Sequence, residues 1–189
     1  MSSLSLDEAT RISTAARTTA TDLGTPVTIT VVDGSGHVLA QSRMDGARFG
    51  TLNVSANKAF TAAAFGMPTK IMGALVQPGA PLYGFADATG GRFVSFPGGQ
   101  PMVRNEEVVG AVGVSGGSID QDQAIADATA ILHAYPAQFQ KYWLDGMRQK
   151  LGLQTAEAGD AVGEVLAVGA DRHAGQGRGA VLGELVGVE

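Results

Sequence analysis

The stretch that decides the fold is VTITVVDGSGHVLAQSRM, residues 27–44. In its first half Val27, Ile29 and Val31 alternate with side chains on the opposite face, which is the two-residue period of a β-strand. Residues 33–36, Asp-Gly-Ser-Gly, are typical of a tight turn, and residues 38–44 run back as a second strand. The stretch therefore predicts a β-hairpin.

Helices are predicted on both sides of this hairpin. Ser5 followed by Glu8 has the spacing of a capping box, and apolar residues then recur at helical spacing until Gly24. After the hairpin, alanine-rich residues 51–65 and the shorter stretch 69–75 each have the pattern of a helix. The first half of the chain is thus a helix, a hairpin and two more helices.

The second half begins with residues 77–91, whose many Gly, Pro, Asp and Thr residues predict a long irregular loop. Strands are predicted over residues 92–96, 101–104 and 108–115, and a last helix begins at Ser118. This element order predicts an α+β fold with a five-stranded antiparallel sheet flanked by helices. It argues against a Rossmann fold, because no parallel strand–helix–strand unit with a Gly-rich first turn occurs.

Three segments are predicted along the chain. Residues 1–135 contain the predicted sheet and its helices, and form the main domain. Residues 136–152 contain a concentration of aromatic residues and are predicted to form a helical extension. Residues 153–189 are rich in Gly, Ala and Val without a strand or helix pattern, which predicts a weakly structured tail.

Composition excludes several classes of function. The 189 residues include 13 basic and 18 acidic side chains, and the net charge of −5 disfavours nucleic acid as a partner. The absence of cysteine excludes disulfides, thiolate catalysis, iron–sulfur clusters and Cys-ligated zinc. With three histidines and no HExxH pattern, no metal site is predicted. No apolar run is long enough for a membrane span, so we expect a cytoplasmic protein that does not bind membranes.

Two glycine-containing turns are candidate ligand-binding sites. Ser115, Gly116 and Gly117 connect a strand to a helix, where exposed N–H groups and the helix dipole could hold a carboxylate. The alternative is a tight turn without a ligand. Gly98 and Gly99 are likewise a hairpin turn or a backbone wall beside a flat ligand.

The last predicted strand contains two glycines, Gly110 and Gly113. Glycine in a strand often marks a place where another element or a ligand approaches the backbone closely. The sequence does not decide between these two.

Charged residues supply the catalytic candidates. Lys58 lies in an apolar helical stretch, where its ammonium must either reach water or find an anionic partner. Either Arg43 or Lys58 is a candidate for binding a ligand carboxylate. Glu106 and Asp122 are turn and cap residues in one interpretation and proton-transfer groups in the other. The predicted catalytic set is Lys58, Glu106 and Asp122.

Several blocks of the sequence together resemble a known family. They are TVVDGSGHVLA (30–40), RMDG (43–46), KAFTA (58–62) with Pro68-Thr69, GGQP (98–101), and VGAVGVSGG (109–117) with Gln121-Asp122 and Ile125-Ala126. In this order they resemble the GlcG/HbpS family, also called the haem-degrading or DUF336 domain, which includes the C-terminal domain of PduO-type proteins. The resemblance covers residues 4–134.

The resemblance implies a profilin-like or PAS-like sheet, assembly into homo-oligomers and a small-molecule ligand. It also implies haem or another tetrapyrrole as a cofactor. His37 and His133 are then the candidate iron ligands, with Thr69 or Tyr83 as an oxygen alternative.

Three functions follow as expectations. The first is an oligomeric small-ligand-binding protein that binds haem. The alternative is a cofactor-independent lyase or isomerase that acts on a small carboxylated or aromatic metabolite. The third is a non-catalytic oligomeric scaffold whose aromatic extension, residues 136–152, forms the interface.

Overall fold

A computed structural model of the chain describes residues 3–134. The predicted extension, residues 136–152, and the predicted tail, residues 153–189, lie outside the described residues. The elements in chain order are α1 (Leu6–Asp22), β1 (Thr28–Asp33), β2 (Val38–Arg43), α2 (Thr51–Phe65), α3 (Thr69–Leu75), a 3₁₀-helix (Phe85–Thr89), β3 (Gly99–Arg104), β4 (Glu107–Ser115) and α4 (Ile119–Ala134).

The strands form one antiparallel sheet in the order β2-β1-β4-β3. The predicted hairpin is confirmed, since β1 pairs with β2 in antiparallel orientation. The register shifts once, between Val31 and Val32. The β3–β4 hairpin turns through Asn105 and Glu106, which have φ angles of 51° and 65°. Positive φ at both central residues is the geometry of a type I′ turn. The predicted combination of helices and an antiparallel sheet is therefore confirmed.

The fifth strand, predicted over residues 92–96, is absent from the part of the chain that the structure describes, where the sheet has four strands. Side chains take the backbone hydrogen bonds of this segment instead. The N–H group of Val94 donates to Thr61 Oγ1 at 3.0 Å, and that of Phe93 donates to Thr89 Oγ1 at 3.1 Å. A strand needs partners from a neighbouring strand, so this segment does not join the sheet.

Helices cover both faces of the sheet. Helices α1 and α4 pack on one face against a core that includes Ile29, Val112 and Ile125. Helix α2 packs on the other face, where its alanines meet Val32 and Ala111. Within residues 3–134, no helix has the length and apolar character needed to cross a bilayer.

Helix α2 lies unusually close to the sheet at Gly113. A Cβ atom at this position would overlap the carbonyl oxygen of Ser55 and lie 2.6 Å from the backbone nitrogen of Ala59. Small residues on both sides permit this approach. As a result, Lys58 is held against the end of β4, next to Val114.

Candidate functional site

Lys58 and Asp122 form a buried ion pair between α2 and α4. The Nζ atom of Lys58 lies 2.8 Å from Asp122 Oδ2, and it also donates to the carbonyl oxygen of Val114 at 2.7 Å. The ring of Phe96 lies 4.8 Å from the same nitrogen, which is a cation–π distance. Lys58 is fully buried, so of the two alternatives left open by the sequence, water or an anionic partner, the structure shows the anionic partner.

The start of α4 positions Asp122. Its Oδ1 atom accepts a hydrogen bond from the N–H group of Gly117 at 2.9 Å, so both carboxylate oxygens have partners. The predicted helix start at Ser118 is confirmed by a capping box, because Gln121 Oε1 accepts from the N–H group of Ser118 while Ser118 Oγ accepts from that of Gln121. The chain's own side chains thus use the N–H groups of Gly117 and Ser118.

Burial lowers the pKa of the Lys58 ammonium below its ordinary value, because desolvation disfavours the charged form. The hydrogen bond and the charge of Asp122 oppose this shift but do not cancel it. Chemically, the pair links α2, β4 and α4 through one ammonium group. It also places a lysine of lowered pKa beside a carboxylate.

The Gly98-Gly99 segment lies directly over this ion pair. A Cβ atom at Gly98 would lie 2.7 Å from both Lys58 Nζ and the backbone carbonyl oxygen of Val114, and the φ angle there is 114°, so glycine is required for the approach. The N–H group of Gly98 donates to Gln123 Oε1 at 3.0 Å, and that of Gly99 donates to Thr69 Oγ1 at 2.9 Å. Thr69 is fully buried. These glycines therefore connect β3 to α3 and α4.

The remaining predicted site residues lie apart from the pair or pack against the chain itself. Glu106 is exposed in the turn before β4, at the opposite end of that strand from Ser115. Arg43 is exposed at the end of β2, and its Nη1 atom donates to the carbonyl oxygen of Ala47 at 2.8 Å. A Cβ atom at Gly116 would lie 2.6 Å from the carbonyl oxygen of Pro26. The structure therefore brings Lys58, Asp122, Gly98, Gly99 and Gly117 together, but not Glu106 or Arg43.

His37 lies at the end of the β1–β2 turn with its side chain 81% exposed. Its Nδ1 atom lies 3.7 Å from Asp33 Oδ1. The same carboxylate oxygen accepts from the backbone N–H groups of Ser35 and His37, both at 2.9 Å, which fixes the turn. The side chain of His133 is outside the described residues. Among the residues that are described, no three His, Asp or Glu side chains gather as a metal site.

The hairpin that carries His37 shares an aromatic neighbour with a cation that sequence reasoning missed. Gly36 lies against the ring of Phe60, since a Cβ atom there would be 2.9 Å from the Cδ2 atom of that ring. The guanidinium carbon of Arg92 lies 3.5 Å from the centroid of the same ring. Residues 92–96 were predicted to form a strand of the sheet. Nothing in the sequence indicated that Arg92 lies near the β1–β2 hairpin.

Comparisons with known proteins give a consistent result. Residues 4–131 match the family described as haem degrading protein HbpS-like. An uncharacterized 15.0 kDa protein encoded in the dhaT-dhaS intergenic region of Citrobacter freundii is 39% identical over 127 residues, which span 67% of this chain and 89% of that protein. The corrinoid adenosyltransferase PduO of Citrobacter freundii is 39% identical over 129 residues, 68% of this chain but only 38% of PduO. The crystal structure of a PduOC:heme complex is similar with a TM-score of 0.66 and 36% identity, over 69% of this chain and 94% of that one.

Proposed function

Since the chain belongs to the family described as haem degrading protein HbpS-like, we propose that it is a small-ligand-binding protein that binds haem through the imidazole of His37. The observation that carries this proposal is the exposure of His37 beside a carboxylate. When bound, haem supplies an iron centre that takes an axial ligand from the protein.

The environment of His37 fits an axial ligand. Metal-bound histidines usually donate their second ring N–H to a carboxylate or carbonyl oxygen. Asp33 Oδ1 is 3.7 Å from Nδ1, close enough to orient the ring and long enough to need a small adjustment before a hydrogen bond forms. With Nδ1 turned toward Asp33, Nε2 is left for the iron.

The oxygen donors named by the resemblance fit less well. Thr69 is fully buried, and its hydroxyl oxygen already accepts from the N–H group of Gly99. Tyr83 is 69% exposed in the irregular segment that follows α3, so it is the second donor to test. Support from outside the chain comes from the similar structure, the PduOC:heme complex.

Absorbance titration with haemin tests this proposal. We expect saturable binding with a Soret band in the full chain, and loss of that band in His37→Ala. His133→Ala and Tyr83→Phe test the alternative donors, and both should bind like the full chain. Because the His37 side chain is exposed, the substitution should leave the melting temperature unchanged. Retention of binding by His37→Ala, or its loss in a control variant, would reject His37 as the ligand.

Homo-oligomer formation is part of the same proposal. Large apolar side chains are exposed at Leu6 and at Phe49, which lies just before α2 and is 83% exposed. Large aromatic side chains such as that of Phe49 are enriched at protein–protein interfaces. Light scattering after size exclusion should give a mass above one chain, and Phe49→Ser should reduce it. A single-chain mass for the unmodified protein would contradict the proposal.

The buried amine of Lys58 favours a second candidate, a cofactor-independent enzyme for a small carboxylated or aromatic metabolite. A lysine of lowered pKa beside a carboxylate is a common feature of active sites. Thermal stabilisation by small carboxylates without haemin would support this candidate. Stabilisation by haemin alone would favour the first.

A further inference from the structure

The Arg92 side chain is a cation whose hydrogen-bonding edge has no partner among the residues that the structure describes. Its guanidinium stacks on Phe60 at 3.5 Å, and the residue is exposed. Stacking uses the face of the guanidinium plane and leaves its N–H donors around the edge. Across residues 3–134 the ion pairs are those of His37 with Asp33, Lys58 with Asp122 and Arg104 with Glu8, so none of them involves Arg92.

The backbone around Arg92 is fixed before any ligand arrives. Its carbonyl oxygen accepts a hydrogen bond from Thr61 Oγ1 at 3.4 Å, and Thr61 Oγ1 accepts from the N–H group of Val94. The next residue, Phe93, packs edge-on against Phe65 and Phe85 at centroid distances of 6.0 and 5.7 Å. A cation held in this way loses less conformational entropy on binding than a free surface arginine does.

Arg92 and the end of the hairpin that carries His37 border the same aromatic ring. Gly36 packs on one edge of Phe60, and Arg92 covers the face of that ring. On the same hairpin Val38 is 53% exposed, which adds apolar surface. One aromatic ring therefore contacts both the hairpin residue that precedes His37 and the Arg92 guanidinium, which has no ion-pair partner within residues 3–134.

From this arrangement we propose that Arg92 binds a carboxylate of the flat ligand whose metal is bound by His37. The ligand class is a planar metal-containing macrocycle with carboxylate side chains, and the inference rests on the proposed haem-binding function. The planar guanidinium can accept a carboxylate in a two-point contact. Arg43 and Lys58, the candidates from sequence, already donate to Ala47 and to Asp122.

The test compares two ligands that differ only in their carboxylates, haemin and haemin dimethyl ester, by titration of the full chain. We expect Arg92→Gln to weaken haemin binding about tenfold and to leave the diester unchanged. Arg92→Lys, which keeps the charge but loses the planar donor edge, should fall between. Arg48→Gln is the matched control, because Arg48 is also exposed but precedes α2 and should affect neither ligand. The Arg92 effect on haemin should shrink as salt concentration rises.

The outcomes separate this inference from the proposal beneath it. If the unmodified chain binds haemin and His37→Ala does not, but Arg92→Gln binds as tightly as the unmodified chain, the inference fails alone. An equal loss of both ligands in Arg92→Gln would also overturn it, because the residue would then act through packing. If the unmodified chain shows no saturable binding, both proposals fall together.

Discussion

Removal of one partner from the Lys58–Asp122 pair should destabilise the fold strongly. Both groups are buried, and the pair lies at the junction of α2, β4 and α4. Lys58→Met removes the ammonium while keeping a long apolar chain, and it leaves the carboxylate of Asp122 with only the N–H group of Gly117. Asp122→Asn keeps an acceptor for Gly117 but turns an amide toward the lysine.

The expected magnitude follows from this burial. Leaving one charge of a buried pair without its partner costs about 3–5 kcal/mol. For a domain of about 130 residues, 1 kcal/mol corresponds to roughly 3–4 °C in melting temperature, so each single variant should melt about 10–20 °C lower. The double variant Lys58→Met/Asp122→Asn contains no unpaired charge. Its cost should therefore be well below the sum of the two single costs.

Chemical unfolding followed by circular dichroism measures these free energies directly. A control is Lys70→Met, because Lys70 is exposed on α3 and makes no ion pair within residues 3–134. It should stay within about 0.5 kcal/mol of the unmodified chain. Single variants that lose less than about 1 kcal/mol, as an exposed pair would, would refute the reasoning. Additive costs in the double variant would refute it as well.

Further predictions concern backbone packing and charge. Gly113→Ala should lower the unfolding free energy by about 1–3 kcal/mol or more, because the new Cβ atom meets the backbone of α2. Gly50→Ala is the control and should be neutral, because Gly50 has open space around it and a φ angle of −61°. Partial burial raises the pKa of Glu8, but hydrogen bonds from Ser5 and Arg104 together lower it below its ordinary value of 4.5. The stability that this lowered pKa contributes is present above pH 4.5 and is lost as the pH falls through the pKa of Glu8 in the folded state. In Glu8→Gln the unfolding free energy should therefore depend less on pH in the acid range. Glu106→Gly should stabilise the type I′ turn by about 0.5–1 kcal/mol, and an unchanged or lower unfolding free energy would contradict this.

Local chemistry made most of the fold predictable from sequence. The capping box at Ser5 and Glu8 is present, with hydrogen bonds at 2.8 and 3.2 Å. The alternation around Ile29 predicted the first strand of the hairpin correctly. It reflects the two faces of β1, one of which meets the core beneath α1 while the other meets α2. These signals act within a few residues, so they need no knowledge of the tertiary structure.

The errors come from contacts between distant residues. Residues 92–96 alternate like a strand, yet Thr61 supplies a hydroxyl that takes the N–H group of Val94. Nothing near residue 92 in sequence indicates that α2 provides this partner. The partner of Lys58 was equally hidden, since Asp122 is 64 residues away and looks like an ordinary helix cap.

The glycines show how one sequence signal can have two meanings that only the structure separates. Gly113 was open to either a packed element or a ligand, and the backbone of α2 occupies the position where a side chain would be. Gly98 meets Lys58 and the carbonyl oxygen of Val114, while Gly116 meets Pro26 and Val27, just before β1. Close packing therefore explains these three glycines.

The hairpin end at His37, outside this packing, keeps an exposed imidazole, and the neighbouring Arg92 keeps an unpaired charge among the described residues. Ligand binding is therefore better tested at this end than at the glycine turns. Gly98→Ala should destabilise the fold whether or not haemin is present, because the new Cβ atom would meet the carbonyl oxygen of Val114 and Lys58 Nζ at a φ angle of 114°.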